Sequence, residues 1–156
     1  MITDPQRSDT CWIGIVTFVA FFLSMALADT APINSADIYV IDGDTIRVHH
    51  QKPDVRLVGF NAPETRRAVC ETEGELGAEA TRRLRELVRA NDLDFEFVPC
   101  ACQPGTEGTQ ACNYGRRCGI LKAKGRDVGA ILIEEGLAVP FVCGSTRCPR
   151  TPRPWC

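Results

Sequence analysis

The chain carries no net positive charge, only two histidines, and no unbroken apolar run of membrane-spanning length. Its formal balance over 156 residues is −2, so overall charge does not announce a nucleic-acid binder. Any such site has to be a local cluster. Arginine supplies 15 of the 18 basic residues, which allows such clusters or simply reflects a bias towards arginine. His49 and His50 are neighbours in an expected strand and point to opposite faces, which removes the simplest histidine–metal arrangement. There is no internal repeat and no low-complexity segment. The length leaves room for one domain.

Residues 1–28 read as a signal peptide or a membrane anchor. Trp12 to Ala28 is apolar except for Thr17 and Ser24, and it ends in the small-x-small pattern Ala26-Leu27-Ala28. The run is 17 residues, short of the roughly 20 that a spanning helix needs. Its n-region is poor, because Asp4 and Asp9 offset Arg7. A cleaved export signal and a single uncleaved span both export the remainder: the first to a periplasmic or secreted location, the second anchored by one N-terminal membrane span.

Cysteine is plentiful. Nine are present: Cys11 in the leader, then Cys70, Cys100, Cys102, Cys112, Cys118, Cys143, Cys148 and Cys156. Eight in an exported domain predict four disulfides, with about a hundred possible pairings. Zinc is the rival reading, but Cys100-x-Cys102 is not the usual two-residue spacing.

Residues 29–35 read as a linker, 36–143 as the folded domain, and 144–156 as an irregular Cys/Pro-rich tail pinned by disulfides. Within the domain, Ile38 to Val48 alternates as two strands around Asp42-Gly43-Asp44. Val55 to Phe60 reads as one strand, and Pro63 makes Asn61–Thr65 a loop. Gly74–Ala90 shows helical spacing of Leu76, Ala80, Leu84, Leu87 and Val88. Leu93–Val98 and Cys118–Lys122 are strands. Asp127 caps a second helix that Gly136 ends, and Leu137–Val142 is a last strand. This is an α+β pattern, mainly β with helices, and it leaves a closed barrel or an open sheet as the two architectures.

Acids and arginines fall into three short segments. Asp42 and Asp44 bracket a glycine, which is an ordinary turn pair or a source of carboxylates for a hard cation. Glu64 follows Pro63, as a solvated acid or as a general base able to deprotonate a water. Arg56 interrupts an apolar strand and faces either solvent or a polar cavity. Arg116 stands at a loop-to-strand junction. Two guanidiniums can grip one phosphate and offset charge that grows in a transition state. Arg66, Arg67 and Arg117 read as solvated or as contacts to neighbouring phosphates.

In order along the chain, Ile41-Asp42-Gly43-Asp44-Thr45, Arg56-Leu57-Val58-Gly59-Phe60-Asn61-Ala62-Pro63-Glu64-Thr65, Tyr114-Gly115-Arg116 and Glu135-Gly136-Leu137-Ala138 resemble the thermonuclease, or staphylococcal-nuclease-like, family. The resemblance covers about residues 36–143 and implies an OB-fold, a five-stranded barrel with two flanking helices. It implies a Ca2+-dependent endonuclease acting on DNA or RNA. By motif position Arg56, Glu64 and Arg116 match the catalytic residues. Asp44, Asn61 and the Ala62 backbone match metal positions, and Asp42 an acid just outside them. Tyr114 and Phe141 match substrate-binding positions. Asn61 departs from the family, which has a carboxylate there; an amide oxygen can coordinate Ca2+ but brings no charge. The alternative is a non-catalytic nucleic-acid- or protein-binding module with a weakened metal site.

Overall fold

The computed structural model describes residues 31–156, besides Met1. The leader, Cys11 and the first two linker residues lie outside the described residues. Among the described residues there are nine strands and two α-helices, besides two short 3-10 turns: β1 (Ala31–Ile33), β2 (Ile38–Asp42), β3 (Thr45–Val48), β4 (Val55–Leu57), β5 (Gly59–Asn61), α1 (Glu71–Arg89), β6 (Leu93–Val98), β7 (Arg117–Ala123), β8 (Arg126–Asp127), α2 (Val128–Glu134) and β9 (Val139–Phe141). The class is mixed α+β, with a curled half-barrel sheet. The main sheet runs β1-β6-β7-β4-β3-β2 with β8 on β7, and β5 pairs β9 in a separate ribbon. It has seven strands rather than five, because two short segments join the expected set. One of them corrects the linker reading: Ala31–Ile33 pairs antiparallel with β6.

The expected strand from Val55 to Phe60 is broken in two. Val58 donates to the Gly119 carbonyl at 3.1 Å, and Gly59 adopts φ +93°, which favours glycine. The chain leaves the large sheet there and pairs with β9, so Asn61 ends a strand instead of opening a loop. Beside this break, β7 runs parallel to β4, with Arg56 opposite Cys118. That register brings the residues just before β7 next to Arg56, although some sixty positions separate them in sequence.

Helix α1 begins earlier than the periodicity predicts, at Glu71. Glu71 and Glu73 in the first turn and Arg89 in the last both suit the helix dipole. Its buried face is Gly77, Ala80, Thr81, Leu84, Leu87 and Val88, and it packs on β2. Asp127 caps α2 as expected, accepting from the Ala130 amide at 2.9 Å, and Gly136 closes it at φ +75°. The core gathers Ile46, Val55, Leu57, Phe60, Leu84, Leu121 and Leu132 between sheet and helices.

All eight cysteines among the described residues are paired: Cys70–Cys156, Cys100–Cys118, Cys102–Cys112 and Cys143–Cys148. Each native bridge contributes about 2–4 kcal/mol. Cys100, Cys112 and Cys118 form a second small core with Val58 and Val98, which anchors the loop between β6 and β7. Four disulfides suit an oxidising compartment. Among the described residues, no helix is long and apolar enough to cross a membrane.

Gly129 shows how tightly α2 is seated. A Cβ there would run into the Phe60 ring. Gly129 is the second residue of α2, and even a mid-helix Gly→Ala change, the most favourable case, stabilises by at most about 1 kcal/mol. Here Gly129→Ala is expected to destabilise by about 1–3 kcal/mol through overpacking. Denaturant unfolding with the disulfides intact measures it, and a gain in stability would contradict this seating.

Candidate active site

The site is assembled around the turn between β2 and β3. Asp42 pairs with Thr45 across it, and the Asp44 amide donates to Asp42 Oδ1 at 3.2 Å. Gly43 is not there for a left-handed conformation. A Cβ on it would lie 2.7 Å from Ala62 Cβ and 3.0 Å from Ala80 Cβ, so the turn is pressed against the start of the Glu64 loop and against α1. The ordinary turn reading therefore gives way to a packing reason for the glycine.

Asp44 is only 5% exposed. Its Oδ1 pairs with Arg56 Nη1 and accepts from Thr45 Oγ1 at 3.1 Å, and its Oδ2 accepts from the Ala62 amide at 2.9 Å. One carboxylate thus ties together the turn, β4 and the residue before Pro63. Ala62 contributes its backbone amide, rather than the carbonyl expected from the sequence, and its small side chain is buried.

Arg56 lies between Val55 and Leu57, both buried, so its side chain points to the opposite, polar face. It is largely buried against polar partners rather than in open solvent. Besides Asp44, its Nη2 donates to Asn61 Oδ1 at 2.8 Å and to the Phe60 carbonyl at 3.2 Å. Asn61, also 5% exposed, uses its other amide atom: Nδ2 donates to the Pro152 carbonyl at 3.0 Å. An aspartate here would set a carboxylate oxygen against that carbonyl oxygen. The amide at this position is therefore matched to the C-terminal tail.

Arg116 reaches the same point from the β7 side. Its Nη1 donates to Thr45 Oγ1 at 3.2 Å, and Nε and Nη2 donate to the carbonyl and Oδ1 of Asn113 at 3.2 and 2.9 Å. Burial and the nearby Arg56 guanidinium lower its pKa, while Asp44, Asp42 and Glu64 act in the opposite direction. Two neighbouring guanidiniums can together seat an anion. Tyr114 is 73% exposed, and the Arg116 guanidinium sits 5.8 Å from its ring centre. With Gly115, Gln110, Lys52 and Pro53 these two line a cleft of about 470 Å3. Phe141 stands opposite Gly59 in the β5–β9 ribbon, which also carries Asn61 opposite Val139.

Asp42 is pushed up from 3.8 to about 6, first by burial and then by the neighbouring Asp44 charge. The Glu64 side chain is exposed, and its position is set by its backbone. Arg66 and Arg67 are exposed, and Arg117 lies over the Phe97 ring at 3.3 Å. Among the described residues, no group of three His, Cys, Asp or Glu side chains could hold a metal ion. Asp42, Asp44 and the Asn61 amide nevertheless make an all-oxygen set, which fits a hard cation and not a soft one. Several partners of the site carried no sequence signal: Glu73, Asn113, Pro152 and Arg153. Thr45 did have one, lying within the Asp42–Thr45 motif.

The Asp42 shift has a pH signature. Its contribution to stability is fully present below 3.8 and is lost as pH rises through about 6, because the unfolded chain releases that proton first. Asp42→Asn removes the titration. Without divalent cations, the stability of this variant relative to the unsubstituted chain is expected to rise between about pH 4 and pH 6. It then levels off, at a gain on the order of 2–3 kcal/mol. Unfolding midpoints across that range measure it, and a pH-independent difference would contradict the assignment.

No family model matches the chain. Over 100 residues, 63% of this chain, it is 33% identical to "Endonuclease YncB" of Bacillus subtilis (strain 168), covering 43% of that protein. Over another 100-residue match, again 63% of this chain, it is 31% identical to the "SPbeta prophage-derived endonuclease YokF" of the same organism, covering 31% of it. The chain thus spans less than half the length of these curated relatives. Both are named endonucleases, and the similarity to them supports a nuclease relationship in general.

Proposed function

We propose that this chain is an exported, metal-dependent nuclease of the thermonuclease type, hydrolysing phosphodiester bonds of DNA or RNA. The observation that carries the reading is the meeting of Arg56 and Arg116 on one Asp44–Thr45 unit, with Asp42 and Glu64 close enough for Arg116 to feel their charge. The three carboxylates and two guanidiniums leave the cluster about one charge negative, which favours a cation alongside an anionic substrate. The paired cysteines support export, since such bridges persist in oxidising compartments.

In this reading the scissile phosphate competes for the two guanidiniums. Arg56 exchanges its bond to Asn61 for a phosphate oxygen, and Arg116 lies where charge on the leaving oxygen develops. Glu64, exposed and unpaired by any arginine among the described residues, takes a proton from the attacking water. A hard cation such as Ca2+, held by Asp44 and the Asn61 amide oxygen with Asp42 and the Ala62 carbonyl beside them, would supply further neutralisation at the phosphate. Tyr114, exposed on the rim of the cleft, offers a face on which a base can stack.

One observation favours the non-catalytic alternative: the Asn61 amide is already occupied by Arg56 and Pro152. Digestion of plasmid DNA and of RNA by the secreted full chain separates the two readings. Cleavage is expected with Ca2+ and not with EGTA, and Glu64→Gln is expected to lower kcat by about 100- to 10,000-fold. Tight binding that persists in EGTA, with no turnover at any Ca2+ level, would support the binding module and overturn the nuclease.

A further inference from the structure

The C-terminal segment has no helix or strand, yet it is firmly tied down. Cys156 is bonded to Cys70, the residue that opens α1. The Pro152 carbonyl accepts from Asn61. Next to it, Arg153 meets Glu73 two-pronged, Nε to Oε1 at 2.8 Å and Nη2 to Oε2 at 2.6 Å, and Nη2 also donates to the Arg67 carbonyl at 2.9 Å. Such a paired guanidinium–carboxylate geometry fixes orientation as well as charge.

Glu73 is a glutamate with 0% exposure, an unusual place for this side chain unless it is paired. Its pairing goes beyond Arg153. Oε2 accepts from the Val69 amide at 2.8 Å, and Oε1 lies 3.5 Å from the Glu64 amide. Glu73 therefore holds both ends of the short loop that carries Glu64. One turn further along α1 the helix comes as close to that loop as a backbone can. A Cβ on Gly77 would fall 2.7 Å from the Glu64 carbonyl oxygen and 2.8 Å from that of Pro63. The Glu64 backbone is thus seated on α1 by two contacts from one helix face, Gly77 and the Glu73 carboxylate, and Arg153 sets that carboxylate.

We propose that Glu73 and Arg153 are positioning residues for Glu64, so that the C-terminal segment completes the site. This rests on Glu64 being the base, as read above. The Glu64 side chain is exposed, so its aim depends on its backbone. The loop's backbone depends on a buried carboxylate contributed by α1, and that carboxylate depends on a guanidinium eighty positions away in sequence. Displacing a catalytic group by about 1 Å can cost about 100-fold in rate. A staple serving stability alone would leave the rate of the folded enzyme untouched.

The test uses the full chain with its disulfides formed, a short oligonucleotide and Ca2+, below the unfolding midpoint of each variant. Arg153→Ala is expected to lower kcat by about 10- to 100-fold with KM within about twofold, and Arg153→Lys to recover part of the loss. Amide hydrogen exchange is expected to rise at Val69 and Glu64 while β7 amides keep their protection. Should Arg153→Ala not fold, because it strands a buried charge, Arg153→Lys decides with the same readouts. No cleavage by the unsubstituted chain defeats the nuclease reading. Cleavage by it, with unchanged kcat in folded Arg153 variants and unchanged exchange at Val69 and Glu64, overturns the positioning role alone.

Discussion

Asp44 is the point on which the rest of the site depends. A carboxylate this buried carries a desolvation cost that only good partners offset, and it has a guanidinium, a hydroxyl and a backbone amide. Those partners belong to β4, to β3 and to the segment after β5. Satisfying one charge therefore fixes the relative positions of three chain segments. The same constraint limits substitution. Removing Arg56 would strand the carboxylate, and removing Asp44 would leave Arg56 and Arg116 facing each other unbalanced. Stability and the proposed chemistry draw on the same few groups at this site.

Much of this was legible in the residues. The Asp42–Thr45 segment, the polar face implied by Arg56 in an apolar strand, the Asp127 cap and the stripe of α1 are all local patterns. The paired cysteines followed from their number and context, though not their connectivity. What escaped is long-range. Gly59 breaks a strand that reads as continuous, because the second half finds its partner in β9, some eighty residues on. Ala31–Ile33 is a strand only because β6 offers an edge. Glu73 looks like one more acid in a helix rich in them, and nothing nearby in sequence announces the Arg153 that buries it.

Asn61 changes meaning through the same kind of contact. As sequence it is a missing carboxylate, a defect in a metal position. In the structure its oxygen serves Arg56 and its nitrogen serves Pro152, a pair of roles that a carboxylate could not fill. The irregular tail, which lacks any periodic signal, turns out to touch Asn61 with one residue and Glu73 with the next. The four disulfides extend this logic. Cys100–Cys118 anchors the loop that delivers Arg116, and Cys70–Cys156 anchors the tail that reaches Asn61 and Glu73. Covalent ties thus stand where a larger core could have held the same loops.

The central claim is that Arg56 and Arg116 act on one phosphate as a unit. A double-mutant cycle in cleavage rate tests this most directly, comparing Arg56→Lys, Arg116→Lys and the double variant in the folded full chain. Groups that share a transition state lose most of their effect together, so the double variant is predicted to be little slower than the slower single one. Losses that multiply, with each arginine contributing its full factor independently, would contradict the account.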